Sequence, residues 1–541
     1  MTASSHSTVR QCDAVVVGSG IAGLYQMHRL RELGLSVQGI EAGTNVGGTW
    51  YWNRYPGARL DSQSELYQYW FSKELYESVP LSERFLAQPE LEKWLQGVAD
   101  KLDLKKSYQF STRVEAAIFN DETGRWLVKT DQGDQIDCKY FVSCAGMLSA
   151  PMSNLFKGQE TFKGKLFHTA RWPKEEIDFS GKKVGVIGIG ATGIQVIQSV
   201  APLAGHLKVF VRTPQYTIRM NNPQYTEADR QKFHQEFETN KALVNTTFSG
   251  FQYDFENGSW HDATPEERQQ VYEKLWSEGT LKLWLAAYFE VFVEQEANDD
   301  ISEFVRNKLR ARLNHDPELC DLLVPKDYGF ATHRVPLENG YLEAFLRPNV
   351  TGVAVKENPI VEVVPEGIKL QDGTVHELDM LILATGFDAG TGALTRIDIR
   401  GRGGRKLADD WGRDIRTTMG LQVHGYPNLF TVGAPLAPSA ALCNMTTCLQ
   451  QQAGWIADAI AHLESKGLHT MEPSAEKEDE WVRHHDEIAN ATLLTKTDSW
   501  YMGSNIPGKP RRLLSYAGGV NVYKQACDEA KASGYPGFNL A

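Results

Sequence analysis

Two glycine-rich turns of the form G-x-G-x-x-G constrain this chain more than anything else in it. The first is Gly18-Ser19-Gly20-Ile21-Ala22-Gly23 and the second is Gly188-Ile189-Gly190-Ala191-Thr192-Gly193. One such turn is weak support, because glycine-rich loops arise by chance. Here each follows an apolar run and opens an apolar stretch of helical character, the context in which the turn binds a dinucleotide. Two of them predict an α/β fold with two Rossmann-like dinucleotide-binding domains, holding two nucleotide cofactors at once. That arrangement suits hydride transfer from a nicotinamide to a flavin.

The first turn follows Asp13-Ala14-Val15-Val16-Val17, an almost unbroken apolar run of the kind a parallel sheet buries on both faces. Gly18 permits the tight turn, Gly20 lets the backbone approach a pyrophosphate, and Gly23 lets the next helix pack on the strand. Ser19, between the glycines, is a further candidate contact. The helix, predicted over residues 21–33, turns free N–H groups and a positive dipole end to the phosphates. A second strand, residues 36–40, ends at Glu41. A carboxylate there accepts hydrogen bonds from ribose hydroxyls and repels a 2′-phosphate, so the adenosine is predicted to be that of FAD or NAD.

The second unit repeats the pattern with the opposite charge. Residues 182–187 read as a strand, 191–200 as a helix, and 207–211 as a strand ending in Arg212-Thr213. A guanidinium forks onto phosphate oxygens and the threonine hydroxyl adds a donor, which predicts a 2′-phosphate and hence NADPH. Gly188, Gly190, Ala191, Thr192 and Gly193 would then lie at its pyrophosphate.

Length and composition agree with a multi-domain globular enzyme. The 541 residues are enough for about three domains, and 42% hydrophobic and 23% charged residues are ordinary. A net charge of −12 disfavours nucleic acid and anionic membrane as partners. No apolar stretch approaches the ~20 residues needed to span a bilayer. The polar start, residues 1–11, predicts no secretory signal. Seven thinly spread cysteines read as reduced thiols, which predicts a cytoplasmic protein. No metal site is predicted.

The FAD-binding domain is predicted to begin with residues 1–150, including a hairpin that turns near 120–124. The NADP-binding domain takes 151–220, is interrupted by a helical insertion over 221–330, and resumes over 331–385. Residues 386–541 return to the FAD-binding domain. A buried strand at 378–386 ends the second unit, another lies at 429–432, and a helix follows from about 446 to 463.

The densest aromatic segment, Gly47-Gly48-Thr49-Trp50-Tyr51-Trp52-Asn53-Arg54-Tyr55-Pro56-Gly57, leads to Arg59 and Asp61 and follows Glu41 closely. Its position places Gly48, Thr49 and Trp50 beside the FAD, walling a dry cavity. Buried there, Asp61 needs a cationic or N–H partner. Arg334 is a candidate. Taken alone it reads equally well as a solvated charge.

A run at Phe162-x-Gly164-x-x-x-His168-x-x-x-Trp172-Pro173 adds a more specific signal. It resembles the fingerprint of the Baeyer–Villiger monooxygenases, flavoenzymes that insert oxygen beside a ketone carbonyl. The resemblance extends through the Gly47–Asp61 segment, Ala384-Thr385-Gly386-Phe387-Asp388, and Ser499-Trp500-Tyr501 through Asn505-Ile506-Pro507-Gly508-Lys509. It implies FAD and NADPH as cofactors, and a ketone and O2 as small-molecule partners. It implies that a C4a-peroxyflavin converts cyclic ketones to lactones or esters. Arg334 would be the catalytic arginine and Asp61 the carboxylate that positions it. Trp500 would meet the nicotinamide end of NADP, and His168 would be a linker residue. The candidate cofactor contacts further include Arg59, Tyr67, Val114, Gln195 and Met445. Relatives commonly have lysine where this chain has His333, so Arg212 is left with most of the 2′-phosphate discrimination.

Three other readings compete. A flavin-containing N- or S-monooxygenase shares both turns but does not need Asp61 and Arg334. A disulfide reductase needs a Cys-x4-Cys pair after the first acid, where this chain has Gly47-Gly48-Thr49-Trp50. Cys443 and Cys448 have that spacing far away in sequence and read as unremarkable thiols. A non-catalytic nucleotide-sensing module needs no arginine at all. The small-residue loop at 433–442 is expected to open the pocket to bulky rings.

Overall fold

The computed structural model describes residues 9–79, 81–152 and 154–541; the first eight residues of the polar N-terminal stretch lie outside them. Strand β1 (Arg10–Val17) carries Ala14, Val15 and Val16 fully buried, as its apolar run demands of a strand covered on both faces. It leads through the first turn into α1 (Ile21–Glu32) and then β2 (Val37–Ile40), which pairs parallel to β1 with Ala14 opposite Val37. A Cβ on Gly23 would lie 1.9 Å from the Gly18 carbonyl oxygen, so only glycine lets α1 settle this close to the turn.

β3 (Tyr108–Gln109) extends the β2 edge, while β4 (Val114–Asn120) and β5 (Arg125–Thr130) form the predicted hairpin. β6 (Gln135–Ser143) returns parallel to β1. The chain then builds a second sheet from β7 (Lys165–His168), β8 (Lys183–Ile187), α2 (Ala191–Val200) and β9 (His206–Val211). Gly193 repeats the role of Gly23, with a Cβ position 2.0 Å from the Gly188 oxygen.

Helices then interrupt this sheet. In α3 (Pro265–Glu278) the Thr264 hydroxyl and the Glu267 carboxylate cap each other's backbone N–H, and Pro265 takes the first turn. Gly279 closes α3 in the left-handed region, where a Cβ would sit 2.5 Å from the Asn221 nitrogen. The Asn221 N–H donates to the Gly279 carbonyl at 3.1 Å, and the short α4 (Lys282–Leu285) follows.

β10 (Val350–Ala354) and β11 (Met380–Leu383) complete a parallel five-stranded sheet in the order β10-β9-β8-β11-β7. β12 (Asp398–Arg400) and β13 (Leu429–Thr431) then rejoin the first sheet, beside β4 and β6. Its order is β12-β4-β5-β6-β1-β2-β3, with β13 also on β6. The 22-residue α5 (Met445–Lys466) lies against α1. No helix among the described residues is long and apolar enough to cross a membrane.

Candidate active site

Both glycine turns open onto one cavity of about 1510 Å³, well above the ~300–1,000 Å³ of a drug-sized pocket. Of the predicted site residues, all but Gly23 and Gly193 border it. Those two glycines serve helix packing. On the FAD side, Gly20 and Gly48 meet backbone to backbone, with the Gly48 Cβ position 2.6 Å from the Gly20 Cα. Gly48 has a φ of 52°, so the cradle needs glycine at that point. Trp50 donates its indole N–H to the Tyr67 hydroxyl at 3.2 Å, fixing both rings in the wall. Val114 and Met445 border the same space. Burial pushes the Tyr67 phenol up to about 12.

Glu41 does more than await a ribose. One carboxylate oxygen accepts the Ser19 N–H and hydroxyl, each at 2.8 Å, and the other accepts the Gly43 N–H at 2.6 Å. The acid therefore holds the glycine turn in shape while bordering the cavity.

On the other side, a Cβ at Gly190 meets nothing within 4 Å, leaving open space where a pyrophosphate would approach the N-terminus of α2. Arg212, exposed at the end of β9, forms no ion pair among the described residues. Thr213 stands beside it on the cavity wall. An unpaired cation thus stands on one wall and a buried acid on the other. Gln195 ties the two sides together: its side chain accepts from the Tyr55 hydroxyl at 3.0 Å and donates to the Arg59 carbonyl at 3.1 Å. The Arg59 guanidinium is itself held by Glu83 and the Phe85 carbonyl.

His333 borders the cavity but does not behave as an ordinary histidine near pH 6.5. Its ring stacks on Tyr328 at 4.0 Å, and burial pushes its pKa down to about 4 despite the nearby Asp498. It therefore carries no charge at neutral pH.

Arg334 and Asp61 meet, as the resemblance implies. One guanidinium nitrogen donates to both Asp61 oxygens at 2.6 and 2.7 Å, and the other donates to the Ala440 carbonyl at 2.6 Å. Burial works against the charge on Arg334, but Asp61 outweighs it and the pKa rises. Around the pair stand Trp284, Tyr67, Tyr501 and Tyr253, all buried. Burial raises the pKa of each of these tyrosines, so they remain neutral. The result is one guanidinium fixed by Asp61 and the Ala440 carbonyl, with aromatic rings packed around it, at the border of the cavity onto which both glycine turns open.

Comparison with known proteins agrees with that geometry. The model of flavin-binding monooxygenase-like proteins matches residues 12–225. A Baeyer–Villiger monooxygenase of Pseudooceanicola batsensis is 40% identical over 527 residues, covering 97% of this chain and 95% of the relative. The chain belongs to the Baeyer–Villiger monooxygenases. Acetone monooxygenase (methyl acetate-forming) of Gordonia sp. (strain TY-5) is 58% identical over 529 residues, covering 98% and 99%. The crystal structure of OTEMO in complex with FAD and NADP matches with a TM-score of 0.95 at 37% identity, covering 99% of this chain and 100% of that one. This Baeyer–Villiger monooxygenase is accordingly an FAD- and NADPH-dependent enzyme that oxidises ketones.

Within this monooxygenase His168 bridges both crossings between the sheets. Its Nδ1 accepts the Ala170 N–H at 3.1 Å, which leaves Nε2 to donate to the Met152 carbonyl at 3.0 Å. Thr385, on the return crossing, donates to that same carbonyl at 3.1 Å. Burial lowers the His168 pKa, so the bridge is made by a neutral ring.

Cys443 and Cys448 lie side by side at the start of α5, with Cα atoms 7.2 Å apart. One reading of the sequence changes: the loop at 433–442 does not gape. Leu436, Ala437, Ala441 and Leu442 are buried, because the loop is hydrogen-bonded to residues 514–516. Its contribution is the Ala440 carbonyl. Neither that carbonyl nor Trp284 was legible in the sequence, since no local pattern reports which distant segments converge on Arg334.

Proposed function

We propose that this enzyme acts on small ketones, open-chain methyl ketones first, and converts them to esters. The observation that carries this reading is the packing of the buried Trp284, Tyr253 and Tyr501 around Arg334, with the loop at 433–442 packed down beside it. The relative named for acetone, 58% identical over nearly the whole chain, supports the same substrate size. The FAD-binding part would comprise residues 1–150 and 386–541, the NADP-binding part 151–220 and 331–385, with the cytoplasm as the site of action.

Bound FAD, once reduced by NADPH, supplies the activation of O2. The chain's residues supply the rest. Arg334 faces the cavity as a fixed positive charge and stabilises the negative charge that develops on the ketone oxygen. Asp61 and the Ala440 carbonyl hold the guanidinium so that no reorganisation is needed during the reaction. The surrounding rings exclude water, which strengthens that interaction and protects the activated oxygen. Arg212 and Thr213 select the 2′-phosphate of NADPH, while Glu41 keeps phosphate from the FAD cradle. A panel of acetone, butanone, cyclohexanone and a steroid ketone, with ester products identified by mass, tests the proposal. A kcat/KM for cyclohexanone or the steroid above that for acetone would overturn it.

A further inference from the structure

Arg334 is held on three sides, and only two of them are hydrogen bonds. Asp61 and the Ala440 carbonyl lie at its nitrogens. The third is the indole of Trp284, whose ring centre lies 5.6 Å from the Arg334 Cζ. Trp284 comes from α4, in the insertion rather than in either nucleotide-binding part. It is 1% exposed, and its Nε1–H has no hydrogen-bond partner among the described residues.

The orphaned N–H is informative. A buried donor without an acceptor is unfavourable, and a phenylalanine in the same place would avoid that penalty. Nothing among the described residues tethers the indole through its nitrogen, so packing in the buried core holds it. What the ring offers is its face, and tryptophan presents the most attractive face to a cation, most strongly where water is absent. Trp284 does not border the cofactor cavity among the residues described there, so it reaches the reaction only through the arginine.

We propose that Trp284 is a positioning residue: its π-face fixes the plane of the Arg334 guanidinium, so that the N–H groups not used by Asp61 and Ala440 stay aimed at the ketone oxygen. The insertion thereby completes the active site. This inference rests on the reading of Arg334 as the charge that stabilises the reacting oxygen.

The test uses FAD-loaded enzyme carrying Trp284→Leu, Trp284→Phe or Arg334→Ala, with acetone as substrate. Ester formed per NADPH consumed, kcat, the NADP Kd and the Tm are read together. The leucine variant should lose roughly 10-fold in ester formation, diverting NADPH consumption to hydrogen peroxide. The phenylalanine variant should recover to within about 3-fold of wild type, since a face remains. Its Tm should equal or exceed the wild-type value, because the orphaned N–H is gone. The NADP Kd should not move in either. Should the leucine variant not load FAD, Trp284→Met, whose flexible apolar side chain offers no π-face, takes its place. Wild-type coupling in the leucine variant, or phenylalanine as impaired as leucine, overturns the inference while leaving Arg334 in place. Full ester formation by Arg334→Ala overturns the underlying reading instead.

Discussion

One nitrogen of Arg334 donates to both carboxylate oxygens of Asp61 across a sequence separation of 273 residues. Asp61 ends the aromatic loop beside the first glycine turn, and Arg334 follows the helical insertion. Their meeting joins the two nucleotide cradles at the point where a ketone would react.

Arg334→Ala should abolish ester formation and leave FAD bound, because the guanidinium does not belong to the FAD cradle. Loss of one preorganised charge stabiliser lowers the rate by on the order of 10²–10³ or more. The check is product analysis beside a flavin absorbance spectrum. Near-wild-type ester production would remove Arg334 from the mechanism.

Asp61→Ala strands a buried guanidinium beside aromatic rings. Breaking such a pair from one side costs about 3–5 kcal/mol, so the variant should melt well below the wild type and lose activity. Calorimetry with the flavin content measured in parallel tests this. An unchanged Tm would mean that water reaches Arg334.

Arg212→Ala should raise the KM for NADPH far more than that for NADH. The lost charge-assisted contact is worth roughly 1.5–3 kcal/mol, or about 10–100-fold. Lys208 is no substitute, because its ammonium lies 3.5 Å from the His376 ring and away from the cavity. An unchanged NADPH/NADH ratio would place the phosphate elsewhere.

His333→Lys should tighten NADPH binding by a factor that is constant from pH 6 to 9. With its pKa pushed down to about 4, the wild-type ring is already neutral throughout that range. A pH series of NADP dissociation constants decides it. A gain that grows with pH near 6.5 would show that the ring titrates freely.

His485 predicts a loss of stability in mild acid. It is fully buried, its Nε2–H donates to the Leu513 carbonyl at 2.7 Å, and burial pushes its pKa down to about 4. Between that value and ~6.5 the unfolded chain binds the proton and the native protein does not. The contribution, on the order of 3 kcal/mol, is therefore complete above ~6.5 and disappears as pH falls through about 4. Urea denaturation from pH 7 to 5 should show the slope, and His485→Gln should flatten it. Equal slopes in both proteins would contradict the assignment.

The amino-acid sequence by itself determined the two strand–turn–helix units, down to the glycines that let each helix pack on its turn. It also placed an acid, Glu41, after the first and a base, Arg212, after the second. These are local properties: a strand, a turn and a helix register within about thirty residues, and backbone sterics leave few alternatives. The hairpin, the position of the insertion and the long helix before the C-terminal region were legible for the same reason, as periodicities of neighbouring residues. Arg334 and Asp61 were paired only through resemblance to a family, because nothing in either segment points to the other. Tertiary structure alone decided that the His333 ring stacks on Tyr328 and is neutral, that the loop at 433–442 packs inward, and that Cys443 lies beside Cys448. It alone brought the Ala440 carbonyl and the Trp284 ring to the guanidinium. Each of these depends on desolvation and on which distant surfaces close over a group, and burial is a property of the assembled fold that no stretch of sequence carries locally.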